Sequence, residues 1–243
     1  MFHFEKNFGL YVGKLITNEY HQHYALQISI AKSPSMKLRI KGEDEIVGDA
    51  FYIASKINHK LTCSENHLTL LINPLSSLGH QLFLNFGTVE SKPMNNSFSK
   101  SIRSLLFQLD SEEINFNTFL RGVKDQLNLL KCSCENENHC EDDRVIKALE
   151  IMDANFDRVY KLEEIADLCH LSPSRFLHLF KEKTKLNFRR YQLWNRLLKS
   201  LSFLLDKSIT ETAHTFGFTD SSHYNRTFKE TFGVNPKFIV RKD

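Results

Sequence analysis

Hydrophobic residues in the first 92 positions come in short runs separated by polar turns, a pattern typical of β-strands. The runs predict six strands, at Leu10–Ile16, Tyr24–Ala31, Met36–Ile40, Ala50–Ala54, Leu61–Cys63 and Leu68–Ile72. Short strands at this spacing favour a small β-sandwich or β-barrel.

The period changes to that of an α-helix between residues 97 and 131. One apolar stripe contains Phe98, Ile102, Leu105, Leu106 and Leu109, and the next contains Phe116, Phe119, Leu120, Val123, Leu127 and Leu130. These stripes predict an antiparallel helix pair. Its apolar faces would either cover the open side of the preceding strands or pair with a second copy of the chain.

The last third of the chain contains the same pattern twice. Leu162, Ala166, Cys169 and Leu171 recur 47 residues later as Ile209, Ala213, Phe216 and Phe218. After one inserted residue, Phe176, Phe180, Lys181, Glu182 and Asn187 recur at an offset of 48 as Tyr224, Phe228, Lys229, Glu230 and Asn235. Each copy is interrupted by a short break, at His170–Ser172 and near Gly217, so each predicts a helix-turn-helix unit.

The second helix of each copy has an apolar face and a polar face. The polar face consists of Ser174, Leu177, His178 and Lys181 in the first copy and of Ser221, Ser222, Asn225, Arg226 and Lys229 in the second. Short polar and basic side chains are those that contact base edges and phosphates. We therefore expect double-stranded DNA as the partner.

The segment between the copies, Phe188–Leu205, predicts one long helix. Roughly 18 residues at 1.5 Å each span about 27 Å, which suits two recognition helices about one duplex turn apart. Nine Lys and Arg residues against two acids lie between Pro173 and Lys207. We expect Lys181, Lys183, Arg189, Arg190 and Lys229 to contact phosphates.

Two stretches resemble the AraC/XylS-type transcription regulators: IADLCHLSPSRFLHLF, from Ile165 to Phe180, and SITETAHTFGFTDSSHYNRTFKETFGVNPKF, from Ser208 to Phe238. The resemblance implies that Ser174, Leu177 and His178 face the bases in one half-site, and Ser221, Ser222, Asn225 and Arg226 in the other. Leu177 and His178 depart from the usual small polar residue and Arg, which leaves the sequence preference of the first half-site open. Thr212 replaces an aliphatic residue.

The resemblance also implies a homodimer and an N-terminal sensor domain that binds a small effector. It leaves open whether the protein contacts RNA polymerase. The predicted class is α+β, with a cupin-like barrel or sandwich and a helical pair before an all-α domain of two helix-turn-helix units. The predicted domains are a sensor at 1–95, a helical dimerisation segment at 96–131, a linker at 132–141 and a DNA-binding domain at 142–243. The direction of regulation stays open, although activators are common in the family.

Composition adds limits to this interpretation. The net charge of +3 over 243 residues is too small to argue for nucleic-acid binding alone. The first residues lack the apolar core of a signal peptide, and no run of 18 apolar residues occurs, so we expect a cytoplasmic protein without a membrane partner. The odd number of cysteines, five, favours reduced thiols.

Two sets of side chains suggest alternative functions. His21, His23 and His59 are spaced as in metal-binding cupins, but Gln27 replaces the expected carboxylate, which makes a metal-dependent cupin enzyme the less favoured hypothesis. Cys132, Cys134, His139 and Cys140 offer thiolate and imidazole ligands within the linker, so a metal- or thiol-sensing regulator is a second alternative. The favoured interpretation has no cofactor, no resident metal and no catalytic residue.

Overall fold

The structure is a computed structural model that describes residues 1–134, 140, 142–155 and 157–240. It divides into two compact units, one from the described residues of 1–137 with 230–234, the other from those of 138–229 and 235–243. Among the described residues, the first unit contains all the strands and three helices, and the regular elements of the second unit are helices, so the predicted α+β class is confirmed.

Eight strands form one sheet in the first unit. Their bounds are β1 Phe2–Phe4, β2 Phe8–Leu15, β3 Leu26–Ala31, β4 Met36–Ile40, β5 Glu45–Gly48, β6 Ala50–Ile53, β7 His59–Ile72 and β8 Ser91–Pro93. All the pairings are antiparallel, and the main path runs β1-β2-β7-β3-β6-β8. Within the described residues the path of paired strands is open, so the cupin-like barrel or sandwich expected from the sequence takes the form of one open antiparallel sheet.

The long strand β7 explains the open shape of the sheet. The predicted strands Leu61–Cys63 and Leu68–Ile72 are one strand of 14 residues. One edge of β7 pairs with β2, while its other edge pairs first with β4 and then, from His67 onward, with β3. The sheet therefore branches at the middle of β7, and the β4-β5 hairpin forms a side arm.

Three helices accompany this sheet: α1 Ser77–Phe86, α2 Ser97–Asp110 and α3 Phe116–Leu129. The strand-like reading of residues 1–92 missed α1. The buried residues Phe98, Ile102 and Leu106 of α2, with Phe119 and Val123 of α3, share one core with the buried faces of β2, β3 and β7. The predicted apolar stripes thus cover the sheet of their own chain.

The second unit contains α4 Asp143–Ala154, α5 Leu162–Leu168, α6 Pro173–Thr184, α7 Phe188–Phe203, α8 Ile209–Thr215, α10 Lys237–Val240 and, up to Lys229, α9 Ser221–Phe232. Both bounds of α8 lie 47 residues after those of α5, and both bounds of α9 lie 48 residues after those of α6. The repeat in the sequence is therefore a repeat of helices. No helix among the described residues is long and apolar enough to cross a membrane.

Candidate nucleic-acid interface

The first helix-turn-helix unit is α5, its turn and α6. Ser172 caps α6, since its hydroxyl oxygen accepts from the Arg175 amide at 3.4 Å, and Pro173 occupies the first helical position. Phe176 and Phe180 are fully buried in the core of this unit. Because these apolar residues fix one face of α6 against the core, the opposite face stays outside.

That opposite face presents the residues expected to contact DNA. Ser174, Leu177, His178 and Lys181 are all exposed, and Leu177 keeps 38% of its surface accessible. Lys183 is only half-buried, and its Nζ lies 3.8 Å from Oε1 of Glu182. Lys183 is therefore less available for a phosphate than its neighbour Lys181.

The second unit, α8, its turn and α9, is built in the same way. Ser208 and Glu211 form a capping box at the start of α8, and Asp220 accepts the amide hydrogen of His223 at 2.8 Å in the first turn of α9. This hydrogen bond to the carboxylate lowers the pKa of Asp220. Tyr224 and Phe228 are fully buried and anchor α9.

The outer face of α9 presents the second expected set. Ser222, Arg226 and Lys229 are exposed, whereas Ser221 and Asn225 are half-buried. The Asn225 amide nitrogen donates to the Ser221 carbonyl at 2.7 Å, which turns this side chain back along its own helix. Asn225 must change rotamer before it can contact a base with both amide atoms.

The turns repeat as closely as the helices. His170 and Gly217, which are 47 residues apart, both have left-handed backbones, with φ of 56° and 66°. Lys185 and Gly233, which are 48 residues apart, follow the two recognition helices and have φ of 60° and 71°. The two copies therefore share their backbone conformation, although only the second copy uses glycine at these positions.

Helix α7 connects the two copies and ends at Phe203, two residues before the predicted end. On the side of the first copy, the Gln192 amide exchanges hydrogen bonds with the backbone of Tyr160, at 2.8 and 3.1 Å. On the side of the second copy, the Ser200 and Tyr224 hydroxyls are 2.7 Å apart. Polar side chains in the middle of α7 thus attach it to both helix-turn-helix units.

Two of the nine basic residues counted in this region act inside the unit. Arg196 is only 9% exposed, and its Nη1 donates to the carbonyl oxygens of Phe216 and Gly217 at 3.2 and 2.8 Å. Lys199 forms an ion pair with Asp153 at 2.7 Å. The surface available to phosphates is therefore smaller than the sequence indicated, but Arg189 and Arg190 are both exposed at the start of α7.

His21, His23 and His59 converge in the first unit. A two-residue antiparallel bridge places His21 opposite His59, and the three rings have centroids 4.3 to 5.6 Å apart. In each ring Nδ1 lies 2.9 to 3.0 Å from a backbone carbonyl oxygen, which leaves Nε2 for other partners. Burial lowers the pKa of all three, that of His21 to about 3, so the rings are neutral.

Gln27 completes this histidine cluster. Its side-chain oxygen lies 3.0 Å from Nε2 of His23 and 3.3 Å from Nε2 of His59. A neutral imidazole donates from one nitrogen only, so three Nε2 lone pairs and one amide oxygen face a common space when the Nδ1 hydrogens bind the carbonyls. Such a donor set fits a divalent transition-metal ion, with Gln27 as a neutral ligand in place of the expected carboxylate.

The structure separates the cysteines of the predicted linker. Cys140 is 1% exposed and belongs to the core of the second unit, and His139 lies outside the described residues. Cys132 and Cys134 instead lie beside His80 of α1, which the sequence pattern had not indicated. His80 lies about 50 residues earlier in the chain, so the sequence around the two cysteines does not indicate this contact.

Known proteins match this chain most strongly over the helix-turn-helix region. A family described as a helix-turn-helix domain matches residues 165–242. The regulatory protein PocR of Salmonella typhimurium is 31% identical over 98 residues, which are 40% of this chain and 32% of PocR. The transcriptional activator RhaS of an Enterobacter species is 27% identical over 154 residues, which are 60% of this chain and 55% of RhaS.

Solved structures of ToxT from Vibrio cholerae share the fold of almost the whole chain. An apo form has a TM-score of 0.64 at 16% identity and covers 97% of both chains. A form with a bound unsaturated fatty acid has a TM-score of 0.58, also at 16% identity, and covers 98% of this chain and 97% of ToxT. The chain spans about half or less of the length of PocR and RhaS. Its C-terminal part, residues 165–242, is a helix-turn-helix domain.

Proposed function

We propose that the protein is a sequence-specific DNA-binding transcription regulator that responds to a small effector through its N-terminal unit. The observation that carries this proposal is the pair of recognition helices, α6 and α9, each buried on its aromatic face and exposed on its polar and basic face. A helical domain with a purely structural role would not need two such faces at one repeated spacing.

The exposed residues divide into two groups by chemistry. Lys181, Arg189, Arg190 and Lys229 are exposed basic side chains, and we assign them to phosphates, together with the half-buried Lys183. Ser174, Leu177 and His178 on α6, and Ser221, Ser222, Asn225 and Arg226 on α9, are assigned to bases. Leu177 suits the methyl group of a thymine, and Arg226 suits the two acceptors of a guanine.

Selection of bound sequences from a random duplex pool, using the full chain, tests this proposal. We expect a site with two conserved segments about one helical turn apart. Arg226→Ala should relax one base position and weaken binding to the selected site by about 1–3 kcal/mol. Lys181→Ala should instead weaken all sequences alike and reduce the salt slope by about one.

Two results would contradict the proposal. The first is a pool without enrichment at a salt concentration where nonspecific binding is weak. The second is an equal loss on all sequences from Arg226→Ala, since a base-reading arginine must discriminate. Lys229→Ala serves as a matched control on the same helix, because its expected effect is uniform.

The effector is proposed from the likeness of the fold. ToxT in one solved structure holds an unsaturated fatty acid, and we propose that the N-terminal unit of this chain also binds a small molecule. Palmitoleic acid is the first probe to use, with its methyl ester as the control without a carboxylate. A change in DNA affinity with the acid but not the ester supports an anionic effector; no change with either excludes this ligand class.

Three further properties belong to the same proposal. The regulator acts as a homodimer, has no catalytic step, and works in the cytoplasm, with a contact to RNA polymerase if it activates. Phe107 of α2 is 53% exposed, so the proposed dimer has an apolar side chain outside the core that α2 shares with the sheet. Sedimentation of the full chain at micromolar concentration, with and without DNA, tests the dimer, and a monomer under both conditions would disprove it.

A further inference from the structure

Three potential metal ligands meet at one end of the first unit, away from the recognition helices in the sequence. They are His80 in α1 and Cys132 and Cys134, which follow α3. One ligand atom from each residue lies within 4.8 Å of the other two, and Sγ of Cys134 is 3.7 Å from Nδ1 of His80. The proposed DNA function uses none of these side chains.

The spacing of these atoms agrees with a single metal ion between them. A Zn–S bond of about 2.3 Å and a Zn–N bond of about 2.0 Å at a tetrahedral angle separate sulfur and nitrogen by about 3.5 Å. The observed 3.7 Å between Cys134 and His80 is close to this separation.

The protein holds two parts of this group on defined backbone. Ser76 caps α1 by accepting the Gly79 amide hydrogen at 3.1 Å, one residue before His80. The backbone amide of Cys132 donates to the carbonyl oxygen of Ser77 at 3.5 Å, which places the start of the cysteine segment against the first turn of α1. His80 and Cys132 are both half-buried, whereas Cys134 is exposed, so an ion can reach the group from solvent.

We propose that His80, Cys132 and Cys134 bind one thiophilic d10 metal ion, Zn²⁺ or Cu⁺. Zn²⁺ and Cu⁺ bind thiolate and imidazole ligands more strongly than magnesium or calcium ions do. Binding converts both thiols to thiolates and releases their two protons to solvent, while the neutral imidazole contributes a lone pair. Cu⁺ is complete with three ligands, and Zn²⁺ takes a water as the fourth.

Metal binding at this site would fix residues 132–134 against α1. Residues 132–134 lie at the end of the first unit, and α4 begins at Asp143. An ion would hold this segment to α1 with bonds stronger than the single backbone hydrogen bond between Cys132 and Ser77.

Titration of the reduced full chain with Co²⁺ in the absence of DNA tests the site, because thiolate ligation gives intense sulfur-to-cobalt charge-transfer absorption. We expect one equivalent to develop this absorption, and Zn²⁺ to displace it. Cys132→Ser, Cys134→Ser and His80→Ala should each weaken binding at least tenfold. Cys63→Ser and His214→Ala, which change a buried thiol and an exposed imidazole elsewhere, should bind as the original chain does.

The charge-transfer band separates this site from the histidine cluster of His21, His23 and His59, which contains no sulfur. In a second experiment, competition with a Cu⁺ chelator measures the affinity for Cu⁺ and decides whether Cu⁺ or Zn²⁺ binds more tightly. The proposal is overturned if the reduced chain shows no sulfur-to-cobalt band and no Cu⁺ affinity above that of a variant that combines Cys132→Ser, Cys134→Ser and His80→Ala. A Cys132–Cys134 disulfide under mild oxidation, without metal binding by the reduced chain, would also overturn it. Neither result depends on whether the protein binds DNA.

Discussion

Arg196 donates a hydrogen bond from its guanidinium to the carbonyl oxygen of Gly217 at 2.8 Å, across 21 residues of sequence. The same nitrogen reaches the Phe216 carbonyl at 3.2 Å, and the guanidinium carbon lies 5.0 Å from the centre of the Phe218 ring. One buried side chain of α7 therefore holds the carbonyl groups at the end of α8 and the turn that follows it.

Arg196→Met tests this role. Loss of a charge-assisted hydrogen bond that leaves two carbonyl groups without their donor should reduce the free energy of unfolding of the second unit by about 2 kcal/mol. Trp194 is the single tryptophan of the chain and lies in α7, so its fluorescence during denaturation reports on this unit. Arg189→Met is the matched control, because this exposed residue should affect DNA binding and leave stability within about 0.5 kcal/mol.

His170→Gly and Gly217→Ala should change stability in opposite directions. Both positions require a left-handed backbone, which is unfavourable by about 1–2 kcal/mol for a residue with a Cβ atom. A Cβ at position 217 would also lie 3.3 Å from Nη1 of Arg196. We expect Gly217→Ala to destabilise the second unit by about 1–2 kcal/mol.

The gain from His170→Gly should be smaller, because glycine also increases the entropy of the unfolded chain. Thermal unfolding of the two variants side by side gives the comparison. A destabilised His170→Gly variant would show that the histidine ring makes interactions that outweigh the backbone strain.

His67 should make the first unit less stable in mild acid. Burial lowers the pKa of this residue to about 4, against about 6.5 in an unfolded chain. The unfolded chain therefore binds a proton below pH 6.5 that the folded chain excludes, so stability falls as the pH falls from 6.5 towards 4. Between pH 7 and pH 5 this single residue should lower the free energy of unfolding by about 2 kcal/mol.

Hydrogen exchange of the β7 amides, measured at both pH values, detects this loss. His67→Gln should reduce the pH dependence by that amount, whereas His214→Gln, on an exposed position of α8, should not change it. An unaltered slope in His67→Gln would mean that other buried groups, such as the three clustered histidines, dominate the acid response.

Tyr224→Phe should remove the hydrogen bond between α7 and α9 while it keeps the packing of the aromatic ring. The Tyr224 hydroxyl is 2.7 Å from that of Ser200, and both residues are fully buried. Removing the hydroxyl leaves Ser200 with its bond to the Leu197 carbonyl, so we expect a loss of about 1 kcal/mol. Ser200→Ala in the same background should add little, and a fully additive second loss would contradict direct coupling of the two hydroxyls.

The helical half could be predicted closely from the sequence, because its signals are local. The apolar residues of each copy, such as Phe176 and Tyr224, recur at helical spacing, and capping residues such as Ser172 and Ser208 mark the helix starts. The inward direction of Arg196 could not be predicted in this way. Its partners are backbone carbonyls that come near α7 only after the second copy has folded.

The sheet half could be predicted only in part. All six predicted apolar runs fall largely within strands, but which strands pair depends on contacts between distant segments. The residues between Leu61–Cys63 and Leu68–Ile72 are polar, so the pattern of hydrophobic residues does not indicate one long strand. Pairing with β2 is present on both sides of this polar stretch. The approach of His80 to Cys132 is equally nonlocal and could be found only from the fold.

The attachment of α7 to both copies, through Gln192 on one side and through Arg196 and Ser200 on the other, limits the length of any operator. Inserting about five base pairs between the two contacted segments would rotate one groove to the far side of the duplex. The domain could then follow only by breaking these buried bonds or by twisting the DNA, both of which are unfavourable. The proposed function therefore predicts an operator that tolerates base changes in its middle far better than changes in its helical phase.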